Sequence, residues 1–200
     1  MKGSGKSFIL GSSSPRRIEL LKVQGYKFKV IKPDVEEISY HHKAAANVAL
    51  LNSRAKAVYL SDKNMNRVIL SADTIVVLGK HILGKPATKK ESLSMLMKLN
   101  NKTHSVITAY TILIKMNGKI KVIDEKAVVS KVTFGNFTEQ EYLRYIESCE
   151  PEDKAGAYAI QGLGARFIKS FSGSYTNIVG LPVFEVMQGL KKAGVEYPWT

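Results

Sequence analysis

Phe8-Ile9-Leu10-Gly11-Ser12-Ser13-Ser14-Pro15-Arg16-Arg17, followed by Ile18, Leu21 and Gly25, reads as strand, tight loop and helix. The apolar run makes a short strand, and Ser14 suits the N-cap. Pro15 suits the first helical position, where a missing N–H costs nothing, and Gly25 suits the stop. Working outward, Tyr26, Phe28 and Val30 alternate with Lys27, Lys29 and Ile31 as a half-buried strand does. The acidic cluster Asp34, Glu36 and Glu37 follows. Val48, Leu51, Ala55 and Val58 recur at helical spacing, which sets Arg54 and Lys56 off the centre of that apolar stripe. Val68 to Leu78 is apolar except around Ser71 to Thr74 and reads as a buried strand.

Beyond Gly84-Lys85-Pro86, Thr88 and Glu91 have the spacing of a capping box, opening a helix through Leu93, Leu96 and Leu99. Two β-rich segments flank Asn117-Gly118, a strong hairpin signal. Thr138 and Glu141 form a second capping box ahead of Leu143 and Ile146. Ala155 to Gly180 is rich in glycine and aromatics, which suggests strands with tight turns. Leu181-Pro182 opens a last helix that ends near Gly194. No repeat, low-complexity tract or linker interrupts the chain, and residues 1–200 are expected to form one domain.

At 200 residues, with 44% hydrophobic and 24% charged, the chain can build a sizeable core and falls outside the disordered range. No stretch approaches the roughly 18 apolar residues of a membrane span, and Met1-Lys2-Gly3-Ser4-Gly5-Lys6-Ser7 lacks the apolar region of a signal peptide. A cytoplasmic protein is expected, with no membrane partner. Cys149 is the single cysteine, so an internal disulfide and a cysteine-based zinc site are excluded. The outlying number is charge: Lys plus Arg exceed Asp plus Glu by 13. Nucleic acid, a membrane surface or a phosphorylated small molecule would each answer such an excess, and a basic proteome background needs no partner. The lysines are scattered, without the long basic runs of a nucleic-acid arm.

Several motifs fail on inspection. Gly3-Ser4-Gly5-Lys6-Ser7 looks like the end of a phosphate loop but precedes a strand and lacks the first glycine. Gly162-Leu163-Gly164 is no dinucleotide fingerprint, since the third glycine would fall on Phe167. His41, His42, His81 and His104 have no metal-ligand spacing, which argues against a zinc hydrolase. Gly11 to Arg17 is the better anion site. A helix N-terminus offers unpaired N–H groups and partial positive charge, the serines add hydroxyls, and Arg16 and Arg17 add guanidinium forks. Two arginines in a first turn oppose the helix dipole, a placement that a bound anion offsets. The plain alternative is a capped surface helix with solvated arginines. Asp73 interrupts an apolar strand and must be paired, metal-bound or open to a cleft; a satisfied structural aspartate is its plain alternative. One of Asp34, Glu36 and Glu37 could join it around a divalent cation, because magnesium takes only one or two carboxylates and leaves other positions to water and phosphate. The residues thus point to an enzyme of phosphate esters or nucleotides.

Read together, Gly11 to Arg17, Lys56-Ala57, Ala72-Asp73-Thr74-Ile75-Val76, Gly84-Lys85-Pro86, His104 to Thr108, Asp153 to Tyr158, Ile160-Gln161-Gly162 and Gly173-Ser174-Tyr175 through Gly180-Leu181-Pro182 stand in an order that resembles the Maf proteins. These are nucleoside triphosphate pyrophosphatases also called septum formation inhibitors. The resemblance runs from Phe8 past Pro182. Gly11 stands where the family often has Ala, and Asn101 where it usually has Gly.

The resemblance implies an α/β fold, a mixed twisted sheet in two lobes around a central cleft like that of inosine triphosphate pyrophosphatases. It also implies a homodimer and no stable nucleic-acid complex. The implied reaction takes a nucleoside triphosphate and water to the monophosphate and pyrophosphate, with Mg²⁺ or Mn²⁺. By the same resemblance, Asp73 is the catalytic base, and Arg16, Thr74 and Gln161 select the substrate. Ser12, Ser14, Arg17, Lys56 and Lys85 surround the triphosphate, and Glu36 with Asp73 holds the metal. The combination is similar to the branch acting on dTTP and UTP. The alternative is a nucleotide-sensing or nucleic-acid-binding regulator of cell division that works without turnover.

Overall fold

The computed structural model describes residues 7–38 and 44–197. The leader motif Gly3 to Lys6 and the pair His41-His42 lie outside the described residues. The fold is mixed α/β, with a seven-stranded sheet. Its strands are β1 (Phe8–Gly11), β2 (Phe28–Val30), β3 (Val68–Leu78), β4 (His81–Leu83), β5 (Thr103–Met116), β6 (Lys119–Phe134) and β7 (Ile168–Ser172). The hydrogen-bonded order is β2-β1-β3-β5-β6-β7, with β4 paired to β3. The helices are α1 (Pro15–Val23), α2 (Ala45–Lys63), α3 (Lys89–Leu99), α4 (Glu139–Ile146), α5 (Tyr175–Val179) and α6 (Val183–Lys192). No helix among the described residues is long and apolar enough to cross a membrane.

The chain divides into two compact units, and β3, β5 and β6 each contribute residues to both. The first unit takes Met1–Asp73, Thr108–Val128 and Gly180–Thr200. In it β1 pairs in parallel with both β2 and β3, with Phe8 opposite Phe28 and Ile9 opposite Ile69. A parallel strand is covered on both faces, and every residue of β1 is buried. Period-two alternation divides the strand between two clusters. Phe8 and Leu10 pack with Leu21 of α1 and with Val186 and Leu190 of α6, while Ile9 packs with Ala57 and Leu60 of α2. At Gly11 an added Cβ would lie 2.7 Å from the tip of Leu60 and 3.3 Å from Ser71 Cβ. Glycine in place of the family's alanine therefore makes room for Leu60.

The second unit takes Thr74–Ile107 and Val129–Val179. Here β4 returns antiparallel on β3, and β7 lies antiparallel on β6. Leu96 and Leu99 of α3 and Tyr142 of α4 pack with Val106, Phe134 and Phe167. The second capping box is complete: the Thr138 side chain accepts from Glu141 N while the Glu141 carboxylate accepts from Thr138 N at 2.9 Å. The first is half-built. Thr88 caps Glu91 N at 3.1 Å, but Glu91 accepts from Ala87 N. Asn101, in the turn before β5, has φ 52, a left-handed conformation that asparagine tolerates and the family's glycine adopts freely. Asn117 and Gly118 form the expected two-residue link between β5 and β6, both at positive φ.

One expectation is corrected. Ala155 to Gly180 holds a single strand, β7, together with 3-10 turns at Ala155–Ala157 and Gly162–Phe167 and the short α5. Gly156, Gly162 and Gly164 serve these helical turns, while Gly173 forms the bend that ends β7.

Candidate active site

In the first unit, α1 begins at Pro15 with no acidic residue in its first turn, so Arg16 and Arg17 add to an uncompensated positive helix end. Ser14 occupies the N-cap position but its side chain makes no cap bond. Its N–H instead donates to Ser12 Oγ at 3.3 Å, and its carbonyl accepts from Ile18 N at 3.2 Å. Arg17 turns inward. Its Nε donates to the Gly180 carbonyl at 2.8 Å, and its Nη1 donates to the Ala72 carbonyl at 2.9 Å and to Ser12 Oγ at 3.0 Å. Burial pulls this guanidinium below its ordinary value, and the charge of Asp73 opposes that pull. Arg17 thereby ties the serine loop to β3 and to the segment before α6. Arg16 is half-buried one residue earlier on the same turn.

Asp73 is buried, with 5% of its surface exposed, and both its oxygens are engaged. Lys56 Nζ donates to Oδ1 at 2.7 Å, and Asn52 Nδ2 donates to Oδ2 at 3.3 Å. Asn52 and Lys56 are four residues apart and so share one face of α2, the face that meets β3. The Lys56 ammonium also lies 2.7 Å from Glu37 Oε1. The side-chain Oδ1 of Asn52 accepts from Ile38 N at 2.9 Å, which ties the acidic segment to the residue that orients Asp73. Asn52 was not among the residues expected from the sequence. The signal was there in its spacing from Lys56, but an asparagine beside a serine in a helix reads as solvated surface.

Magnesium and manganese take hard oxygen donors, and the residues present fit them. Two carboxylates, Asp73 and Glu37, are both paired with the Lys56 ammonium and would be the hard donors nearest each other, while no three His, Cys, Asp or Glu side chains among the described residues come together to hold a metal by themselves. Substrate phosphate would supply the rest. Glu36, the partner expected from the resemblance, is exposed on the same segment as Glu37.

The second unit carries the remaining expected residues. Thr74 is half-buried on β3 and Lys85 is exposed between β4 and α3. Gln161 is half-buried in extended conformation, φ −98 and ψ 154, at the N-cap of the turn Gly162–Phe167. The first unit thus holds two adjoining hydrogen-bonded sets, Ser12, Ser14 and Arg17 on one side and Lys56 with Asp73 on the other, which meet at β3 where Arg17 bonds the carbonyl of Ala72, the residue before Asp73.

Residues 7–193 match the model of the family described as Maf-like protein. A dTTP/UTP pyrophosphatase of Bacillus anthracis is 38% identical over 191 residues, covering 96% of this chain and 97% of its own. Proteins of the same name from Dictyoglomus thermophilum and Geobacter metallireducens are 40% and 41% identical, covering 94% and 93% of this chain and 97% and 95% of their own. Among solved structures, a HAM1 protein from Coxiella burnetii is similar at 12% identity, covering 97% of this chain and 93% of that one with a TM-score of 0.45. With the family pattern matched from before β1 to the end of α6, this chain belongs to the Maf-like protein family.

Proposed function

We propose that this protein hydrolyses dTTP and UTP to the nucleoside monophosphate and pyrophosphate. The observation that carries the reading is the buried Asp73 carboxylate held by Lys56 and Asn52 beside the Arg17-braced serine loop. Relatives at 38–41% identity over nearly the whole chain bear the name of that activity.

The chemistry follows from charge. Water must approach a phosphorus ringed by oxyanions; the new bond joins water oxygen to the α-phosphorus, and the bond to the β-bridging oxygen breaks. Negative charge then collects on the departing pyrophosphate. The open end of α1, Arg16, Lys56 and Lys85 offset it, with Ser12 and Ser14 as hydroxyl donors. Arg17 keeps the loop in shape for this, because its Nε and Nη1 are spent on protein oxygens. Asp73 serves the attacking water, as its base or as ligand to the cation that activates it. A divalent cation held by Asp73 with Glu36 or Glu37 would supply Lewis-acid neutralisation of the phosphate oxygens. For the base, the Gln161 carboxamide accepts from the N3–H of uracil or thymine and donates to a neighbouring carbonyl, with Arg16 and Thr74 completing the selection. Cytosine lacks that N3–H and adenine presents the wrong polarity. An unmatched polar edge costs roughly 1–3 kcal/mol, or about tenfold to hundredfold in selectivity.

Product analysis on a nucleotide panel tests the reading. UTP and dTTP should yield monophosphate and pyrophosphate faster than ATP or GTP, with turnover lost in EDTA and regained with Mg²⁺ or Mn²⁺. Release of single phosphate with a diphosphate product would assign another reaction, and binding without turnover would favour a nucleotide sensor.

A further inference from the structure

The turn that follows Gln161 is capped by a residue far from it in sequence. Glu150 accepts from Leu163 N at 2.9 Å through Oε2, and from Gly164 N and the Tyr145 hydroxyl, each at 3.0 Å, through Oε1. Its own main chain is fixed: its carbonyl accepts from Lys154 Nζ at 2.6 Å, and its N–H donates to Ser148 Oγ at 3.3 Å. Gly162 passes directly beneath the carboxylate. Its φ is 77, and an added Cβ would lie 2.7 Å from Glu150 Oε2, so only glycine fits there.

A helical turn opens with unsatisfied N–H groups, and the usual remedy is the side chain of the N-cap residue. Here the N-cap is Gln161, and its side chain makes no cap bond. Glu150 performs that task from outside. The backbone is also held on the other side of Gln161, where the Tyr158 hydroxyl lies 2.6 Å from His104 Nε2 within the aromatic core. Gln161 therefore stands between two fixed points with its carboxamide not used by its own turn.

We propose that Glu150 is a positioning residue for base selection: by capping the turn Gly162–Phe167 it releases the Gln161 carboxamide from local hydrogen bonding and holds it in the orientation that reads the base. This rests on the reading of Gln161 given above. The carboxylate is essential to the arrangement because it only accepts. A glutamine at 150 keeps the size but turns an NH₂ group against one of the two backbone N–H donors.

The test compares Glu150→Gln, the variant expected to keep the fold, with the more severe Glu150→Ala and with Gln161→Ala. In Glu150→Gln the ratio of kcat/KM for UTP to that for ATP should fall at least about fivefold, the scale of one lost hydrogen bond, with the loss in KM for UTP rather than in kcat. In a Gln161→Ala background, Glu150→Gln should lower the ratio no further. An unchanged ratio in a folded variant overturns the proposal, as does a fall in kcat common to both substrates. If the wild-type enzyme itself shows no preference for UTP, the reading of Gln161 fails, and the positioning claim is decided separately by NMR. Glu150→Gln should then speed amide exchange at Leu163 and Gly164 and shift the Gln161 side-chain amide resonances; unaltered exchange and resonances overturn it.

Discussion

Lys56 stands between two carboxylates in opposite settings, Asp73 buried and Glu37 exposed. The two ends of its ion pair with Asp73 are therefore not equivalent. Asp73→Asn keeps the shape and leaves the ammonium a partner in Glu37, so the fold should survive while turnover drops at least ~100-fold, the scale of losing a general base. Lys56→Met leaves a buried carboxylate without its counter-ion, and that should cost about 3–5 kcal/mol of stability. Thermal melts beside a pyrophosphate-release assay check both: Lys56→Met should melt well below Asp73→Asn. Equal melting temperatures, or more than a tenth of wild-type activity in Asp73→Asn, would contradict this account. Asp73 was legible because a charge inside an apolar strand needs an explanation. The inward course of Arg17 was not, since its partners Ala72 and Gly180 lie 55 and 163 residues away and no local pattern reports them.

At the scale of elements, signals confined to four residues were legible and those needing a distant partner were not. The Thr138 and Glu141 box caps α4 as the spacing predicts, and the Thr138 N–H and hydroxyl hold the Glu141 carboxyl below its ordinary value. Thr138→Ala should lower stability by ~1 kcal/mol in urea titrations. A loss under about 0.3 kcal/mol would mean that packing of Tyr142 and Ile146 alone sustains the helix. Glycine and aromatic residues between Ala155 and Gly180 serve sheet corners and 3-10 turns equally well. What selects turns is Glu150, 13 and 14 residues from the amides it caps, together with the packing of Phe167 against Phe137, Tyr142 and Tyr145. Neither is visible as a period in the sequence.

At the scale of the whole molecule, His104 ties the stability of the fold to pH. It is 2% exposed, its Nδ1 has no hydrogen-bond partner among the described residues, and burial pulls its imidazole from 6.5 down to about 4. The unfolded chain takes up a proton near pH 6.5 that the folded chain refuses until about pH 4. Stability from this group is complete above 6.5 and is lost as pH falls through that window, by about 3 kcal/mol at 1.36 kcal/mol per unit. Urea unfolding from pH 7 to pH 4 should show the decline, and a folded His104→Phe variant should flatten it; parallel slopes would assign the acid sensitivity to other groups.

The bond from Arg17 to the Gly180 carbonyl also has a meaning in time. Synthesis runs from the N-terminus, so the serine loop emerges early, while the oxygen that fixes its arginine and the α6 residues Val186 and Leu190 that close the core around β1 emerge some 160 residues later. Thr74–Ile107 and Val129–Val179 are all made before Gly180, so the second unit has its whole sequence in hand while the first still waits. A nascent chain halted short of Gly180 would have Arg17 held only from Ser12 and Ala72 and β1 without the cover of α6, so the protein should stay idle towards the nucleotides around the ribosome until its last residues are made.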